Sequence, residues 1–201
     1  MIKMEHIRQS NDGYNWKCGA VCLEMLLGFY GIKCKQDDIW RKIKSKRSNG
    51  FQYYAKTYDL ARCAIEMGLN TTIYKTNEKD CLQLLDFLDK ENWPVIMSVL
   101  QKKSNSSHFV IYIGKKDGKY CFNDPDSDKD VKKYDYSEVR EMWRQNERAD
   151  VAGYIYLLPD RGMDVTTMHI CHACSKEYPI IEVSDEWKLQ PTICPHCDKL
   201  G

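Results

Sequence analysis

No stretch of this sequence is long and apolar enough to span a bilayer, and residues 1–13 are polar and charged, without the apolar core of a secretory signal. The expectation is a soluble, cytoplasmic chain with no membrane partner. An excess of either charge is also missing. The 30 Lys and Arg stand against 29 Asp and Glu, a net charge of +1, so no overall field would hold the protein on a phosphate backbone, and nucleic acid is not expected as a partner. The basic run from Arg41 to Arg47 ends a helical pattern, where cations are favoured, and reads as a solvated face. There is no internal repeat, no Pro-rich or Gly/Ser-rich tract and no glycine-rich phosphate loop, so repeat architectures and nucleotide-dependent chemistry have no support. Asp124, Asp126, Asp128 and Asp130 alternate like a calcium loop but lack its glycine at the sixth position and its glutamate at the twelfth.

What the sequence does have is cysteine, ten in 201 residues, and they are not distributed like a disulfide framework. Four of them form two C-x-x-C pairs, Cys171 with Cys174 and Cys194 with Cys197, separated by nineteen residues. That is the spacing of a zinc ribbon, in which four thiolates close a tetrahedral site around one structural Zn2+. A redox-active C-x-x-C would be a single motif in a thioredoxin-like setting, not a matched pair. His172 and His196 lie inside the knuckles, where such residues shape the loop or contact a partner, and His169 lies just outside them. A segment of roughly forty residues buries too little apolar surface to fold alone, so the metal would supply most of its folding free energy. Residues 161–201 are therefore expected to be a zinc-ribbon module, open to a protein partner, after a main domain spanning 1–160. The break falls at Pro159-Asp160-Arg161-Gly162. Cys22, Cys34, Cys63, Cys81 and Cys121 fall on apolar faces or strands and read as small hydrophobes.

Hydrophobic periodicity predicts helices over 19–30, 36–46, 57–67 and 78–90, with Gly31 and Gly68 as stop signals. Strands are predicted over 69–75, 94–100, 108–114, 119–123 and 153–158, with a short helix over 136–144 and a strand-like stretch over 178–183. Asp117-Gly118 supplies the backbone freedom for a hairpin turn between two of the strands. Helices first and an antiparallel sheet afterwards indicate an α+β domain.

Cys18 sits where the first helix begins, so the first N–H groups of that helix point toward charge on its sulfur and on a developing oxyanion. Gly19 beside it has no side chain to crowd an approaching carbonyl. Of the five histidines, His108 alone stands at the mouth of an apolar strand, in position to act as a base. The hairpin returns the chain near His108 at Asn123-Asp124, so Asp124, or failing it Asn123, can orient the imidazole.

The segment from Lys17 to Gly31, KCGAVCLEMLLGFYG, resembles the nucleophile helix of the bacteriocin-leader-processing, double-glycine cysteine peptidases, a papain-like family. The similarity continues through Gly50, Met67-Gly68-Leu69, Trp93-Pro94-Val95-Ile96, His108-Phe109-Val110, Tyr120 and Asp124-Pro125, covering residues 9–159 in order. The resemblance implies a papain-like fold with N-terminal helices and a C-terminal antiparallel sheet. It also implies Cys18 as nucleophile, His108 as base and acid, Asp124 as orienting carboxylate, and an oxyanion-hole glutamine before the cysteine. Where that glutamine usually stands this chain has Asp12. Gln9 then takes the role if the loop over 10–17 carries a short insertion, with Asn11 and Asn15 as substitutes. Lys17, where the family often has an acidic residue, suggests an altered substrate side.

The expected activity is cleavage of an amide bond in a peptide or protein through a thioester acyl-enzyme. One alternative is an acyl or peptidyl transferase on the same scaffold, as in the phytochelatin synthases that look similar around the site. The other is a non-catalytic peptide-binding module.

Overall fold

The first helix, α1 (Cys18–Phe29), is buried at every position from Cys18 to Leu27. An apolar surface all the way round makes a helix central, and α1 is covered on one side by the sheet and on the others by α2 (Gln36–Ile43) and α3 (Thr57–Glu66). It stops at Gly31, whose φ of +80° lets the Ile32 N–H reach back to Leu27 O at 2.9 Å. The computed structural model describes residues 1–10, 16–46, 53–101, 106–144, 153–183 and 191–200.

Two short strands, β1 (Ser45–Lys46) and β2 (Tyr53–Tyr54), pair with each other after α2, where the periodicity had extended the helix to 46. Three cations of the basic run have partners among the described residues. Arg41 pairs with Asp38, Lys42 with Glu66 at 3.4 Å, and Lys44 lies over the Tyr53 ring, while Arg47 lies outside the described residues.

The remaining strands are β3 (Thr71–Lys75), β4 (Val95–Gln101), β5 (Ser106–Lys116), β6 (Lys119–Asn123), β7 (Lys132–Tyr134), β8 (Ile155–Pro159), β9 (Thr166–Ile170), β10 (Glu177–Ile181) and β11 (Thr192–Ile193). Seven of them form one antiparallel sheet in the order β11-β3-β8-β4-β5-β6-β7. Side chains alternate across it. Phe109, Ile111 and Ile113 of β5 join the core of α1, α2 and α3, while Val110 and Tyr112 join a second core with α4 (Cys81–Lys90) and α5 (Tyr136–Trp143). The fold is α+β, as the element order predicts, with the sheet covered on both faces.

One irregularity in this sheet sets which side chains at the end of β6 face which way. Between Tyr112 and Gly114 the β5–β6 pairing shifts by one residue, so Ile111 faces Asn123, and Gly114 takes a φ of +108°. A side chain at Gly114 would run into the Asp89 carboxylate and the start of the chain, so glycine is required at this bulge.

No helix among the described residues is long and apolar enough to cross a membrane.

Candidate active site

Cys18 opens α1 and is 6% exposed. The preceding Lys17 supplies no side-chain cap, and the first turn carries no acidic residue, so the orphan N–H groups of the helix start, which have no intrahelical acceptor, face this corner with no carboxylate of their own helix. Gly19 has a different role from the one its size suggests. A Cβ there would point at Phe109 and Leu60, at 3.1 and 3.3 Å, so its smallness lets α1 pack closely on β5 and is not turned toward a substrate. That close approach brings Cys18 next to the residue before Phe109, His108.

His108 is 3% exposed, and its Nε2–H donates to Asp124 Oδ1 at 2.7 Å. The other ring nitrogen, Nδ1, is left for Cys18, with which the imidazole shares a hydrogen bond. Burial disfavours the imidazolium, but the charge on Cys18 and the hydrogen bonds to Asp124 and Cys18 outweigh it and push His108 up to about 10. For Asp124, burial acts in the raising direction and is overcome by the His108 and Lys132 donors and the Asp126 N–H, which hold the carboxyl well below the usual carboxylate range. Lys132 Nζ lies 2.6 Å from Asp124 Oδ2, and the Asp126 N–H lies 2.9 Å from Oδ1.

The bulge decides which of Asn123 and Asp124 faces the imidazole. With Ile111 opposite Asn123, the next pair sets Asp124 beside Val110, on the same face as His108, while Asn123 points to the opposite face. In an unshifted ladder the two would exchange faces. The signal was in the sequence as Gly114, which its neighbours do not mark as a bulge.

Gln9 is half-buried against the loop after Asp124. Its backbone N–H donates to Pro125 O at 3.1 Å, and its side-chain Nε2 donates to Asp126 Oδ1. Asp126 Oδ2 accepts from Gln101 Nε2 at 2.8 Å and lies 3.9 Å from His108 Nδ1. The structure thus brings Cys18, His108 and Asp124 together and sets Gln9 one residue away, through Asp126. Sequence reading assigned no role to Asp126, Gln101 or Lys132. Asn11, Asp12, Asn15 and Gly50 lie outside the described residues. Lys17, expected to bear on the substrate side, is buried, and its ammonium pairs with Asp37 at 2.8 Å and Ser10 Oγ at 3.1 Å. The alternating aspartates do not converge on one point, since Asp124, Asp126 and Asp128 bind His108, Gln9 and Arg8 respectively.

The sequence profile of the peptidase C39 family matches residues 4–147, well over half of the chain and inclusive of every residue of this corner. The chain belongs to the peptidase C39 family. It is a papain-like cysteine peptidase, a hydrolase of peptides. Among solved structures, this C39 peptidase is similar to a double glycine motif protease from an AMS/PCAT transporter in complex with the leader peptide. That pair shares 22% identity and a TM-score of 0.53 over 78% of this chain and 91% of the other. It is also similar to the peptidase domain of Streptococcus ComA, at 15% identity and a TM-score of 0.58 over 77% and 96% of the two chains. A C39-like peptidase from Bacillus anthracis is 15% identical with a TM-score of 0.59, covering 78% and 94%. These likenesses are of fold. Comparison with curated proteins finds no match.

A cavity of about 360 Å³ lies against His108 and Asp124 on the face away from α1, between Val99, Val110 and Met142 on its apolar side and Lys132 and Glu138 on its polar side. Lys132 and Asp124, paired at 2.6 Å, thus both line this cavity.

Beyond the family match, the sulfur atoms of Cys171, Cys174, Cys194 and Cys197 all lie within 4.8 Å of one another, close enough to hold a metal ion. Each C-x-x-C makes the same turn. Ser175 N–H donates to Cys171 O at 2.8 Å and Cys171 N–H to Lys176 O at 3.0 Å, while Asp198 and Lys199 repeat this around Cys194 at 3.0 and 2.9 Å. The Cys171–Cys197 and Cys174–Cys194 sulfur separations are 3.6 and 3.8 Å. A tetrahedron with zinc–sulfur bonds of about 2.3 Å has edges of about 3.8 Å, so these residues fit zinc. Neither His172 nor His196 belongs to the cluster, and His196 Nε2 contacts Glu177 O at 3.2 Å instead.

Proposed function

We propose that this peptidase cleaves its peptide through Cys18, His108 and Asp124, with Gln9 as oxyanion donor and a thioester acyl-enzyme. The carrying observation is the continuous contact from Cys18 to His108 to Asp124 at the start of α1. The Cys18 thiolate attacks the scissile carbonyl, forming an S–C bond and moving the π-electron pair onto oxygen. The N–H groups of the first turn of α1 face that oxyanion. The Gln9 amide has two hydrogens, one of them on Asp126, and the second is the further donor. Collapse breaks the C–N bond as His108 passes its Nδ1 proton to the leaving amine. His108 then takes a proton from water as the oxygen bonds to the acyl carbon; breaking the C–S bond releases the acid and restores the Cys18 thiolate beside a protonated His108. Asp124 holds the imidazole by Nε2, and Lys132 holds Asp124 as a positioning residue.

A peptide is the substrate class this chemistry fits, and the leader-peptide complex of the double glycine motif protease supports including double-glycine peptides in a substrate panel. The same reading gives the tail one zinc ion in the four-thiolate site of residues 161–201, with residues 1–160 as the catalytic part.

The test begins with iodoacetamide at neutral pH. Cys18 is expected to be the fastest-labelled thiol in the chain and to lose that reactivity in His108→Ala. Labelling no faster than Cys22 or Cys63 would remove the basis for nucleophilic catalysis. Adding amines to a cleavage assay then separates hydrolysis from transfer by the product formed.

A further inference from the structure

The cysteine cluster does not stand apart from the catalytic sheet. β11 ends immediately before Cys194 and pairs with β3, Thr192 opposite Tyr74 and Ile193 opposite Ile73, while Lys75 N–H donates to Pro191 O at 3.0 Å. β10 lies against the same strand. Thr72 Oγ1 donates to Pro179 O at 3.1 Å and accepts from Ile181 N–H at 2.8 Å, and Tyr74 OH donates to Ile181 O at 2.6 Å. Tyr178 OH and Thr192 Oγ1, 3.1 Å apart, tie β10 to β11. Ile193 and Ile73 belong to the same apolar core as Cys18.

β11 is only two residues long. Cross-strand contacts of two pairs do not offset the entropy of ordering those residues on a sheet edge. Beyond these pairs, the Tyr178–Thr192 contact and the burial of Ile193, β11 is tied by the knuckle that comes after it, where Cys194 Sγ lies beside Cys174 Sγ and Cys197 Sγ beside Cys171 Sγ, joining the two ends of the tail. Without β11, β3 would present an open edge with the Lys75 N–H unpaired.

We propose that the metal held by Cys171, Cys174, Cys194 and Cys197 is a clamp that keeps β11 on β3 and closes the edge of the catalytic sheet, so that metal occupancy of the tail governs the stability of the peptidase core. The clamp rests on the reading that the four thiolates hold a thiophilic divalent cation. It assigns that cation a structural role outside the chemistry at Cys18.

The experiment uses the full chain purified with zinc, its metal content measured by mass spectrometry, and amide hydrogen exchange followed before and after chelation. Exchange in residues 71–75 is expected to accelerate about tenfold or more when the metal leaves, as local opening of the edge becomes easier. Ile193→Pro provides a second arm. In an antiparallel ladder bonded at Lys75 and Pro191, the Ile193 N–H faces β3, so proline removes the edge bond while leaving all four thiols. This variant is expected to keep its metal and still show fast exchange at 71–75. If chelation strips the metal and exchange at 71–75 does not change, the clamp is wrong while the metal site stands. If the chain neither carries nor takes up zinc or cobalt, the metal site and the clamp fall together. Cleavage of the peptide panel is scored separately and bears on neither.

Discussion

Cys18 meets His108 only after α1, β5 and β6 have packed, whereas the four tail cysteines are gathered largely by turns that each knuckle makes within its own six residues, 171–176 and 194–199. At the Cys18 corner one sulfur faces one imidazole, itself held by a carboxylate. In the tail each sulfur faces other sulfurs at 3.6 to 3.8 Å. The same side chain is suited to nucleophilic attack in the first setting and to soft-metal ligation in the second. The difference lies in what surrounds the sulfur and in whether local or distant chain supplies it.

The contrast is broken most sharply by removing one thiol from each region. Cys18→Ala is expected to lower kcat/KM for a cleaved peptide on the order of 10^5-fold, while metal content stays at its wild-type value. A parallel loss of metal would show that the two regions are not separate in chemistry. Cys194→Ser is expected to do the reverse, abolishing stoichiometric metal binding and destabilising the chain by about 4 kcal/mol in urea unfolding, because a lost structural metal is among the largest single-residue effects.

Asp124→Ala tests how far the imidazole depends on its carboxylate, and a fall in kcat of about 10^4-fold is expected in steady-state assays. Lys132→Met keeps the stem and removes the charge. The expected loss is about tenfold in kcat/KM, with the acid limb of the pH–rate profile moving to higher pH, since Asp124 loses one of the donors that keep it ionised. An unshifted limb would reduce Lys132 to a packing residue.

The smallest effect is on stability against pH. Asp124 is held below its ordinary 3.8, so its contribution is present above that value and is lost as the pH falls toward its folded-state value. His108 is raised from 6.5 to about 10, so its contribution is complete below 6.5 and is lost as the pH rises through about 10. Melting temperatures across this range should decline on the alkaline side in the wild type and less so in His108→Gln.

Several features were legible from residues alone because their causes are local. The apolar run of α1, the Asp117-Gly118 turn and the paired C-x-x-C knuckles each depend on neighbours within a few positions. Element ends were less legible. α4 starts at Cys81 and not at 78, because the Asn77 side chain accepts from the N–H groups of Lys79 and Asp80 and holds a turn there. β7 and β9 were not foreseen, since KKY and TTMHI show little alternation or burial and owe their pairing to β6 and β10.

By itself the sequence determined the α+β element order, the cysteine at a helix start, the histidine opening a strand and the four-thiol spacing, all of which arise from short-range periodicity and ligand spacing. Tertiary structure alone decided that Asp124 and not Asn123 faces His108, because a one-residue bulge at Gly114 reverses the faces of everything after it. It decided that Gln9 reaches the corner through Asp126 and that Lys17 turns inward to Asp37. It also decided that the tail closes the β3 edge. These are choices between partners far apart in the chain, and such choices are made by packing, register and the pairing of buried charge, which no window of neighbouring residues contains.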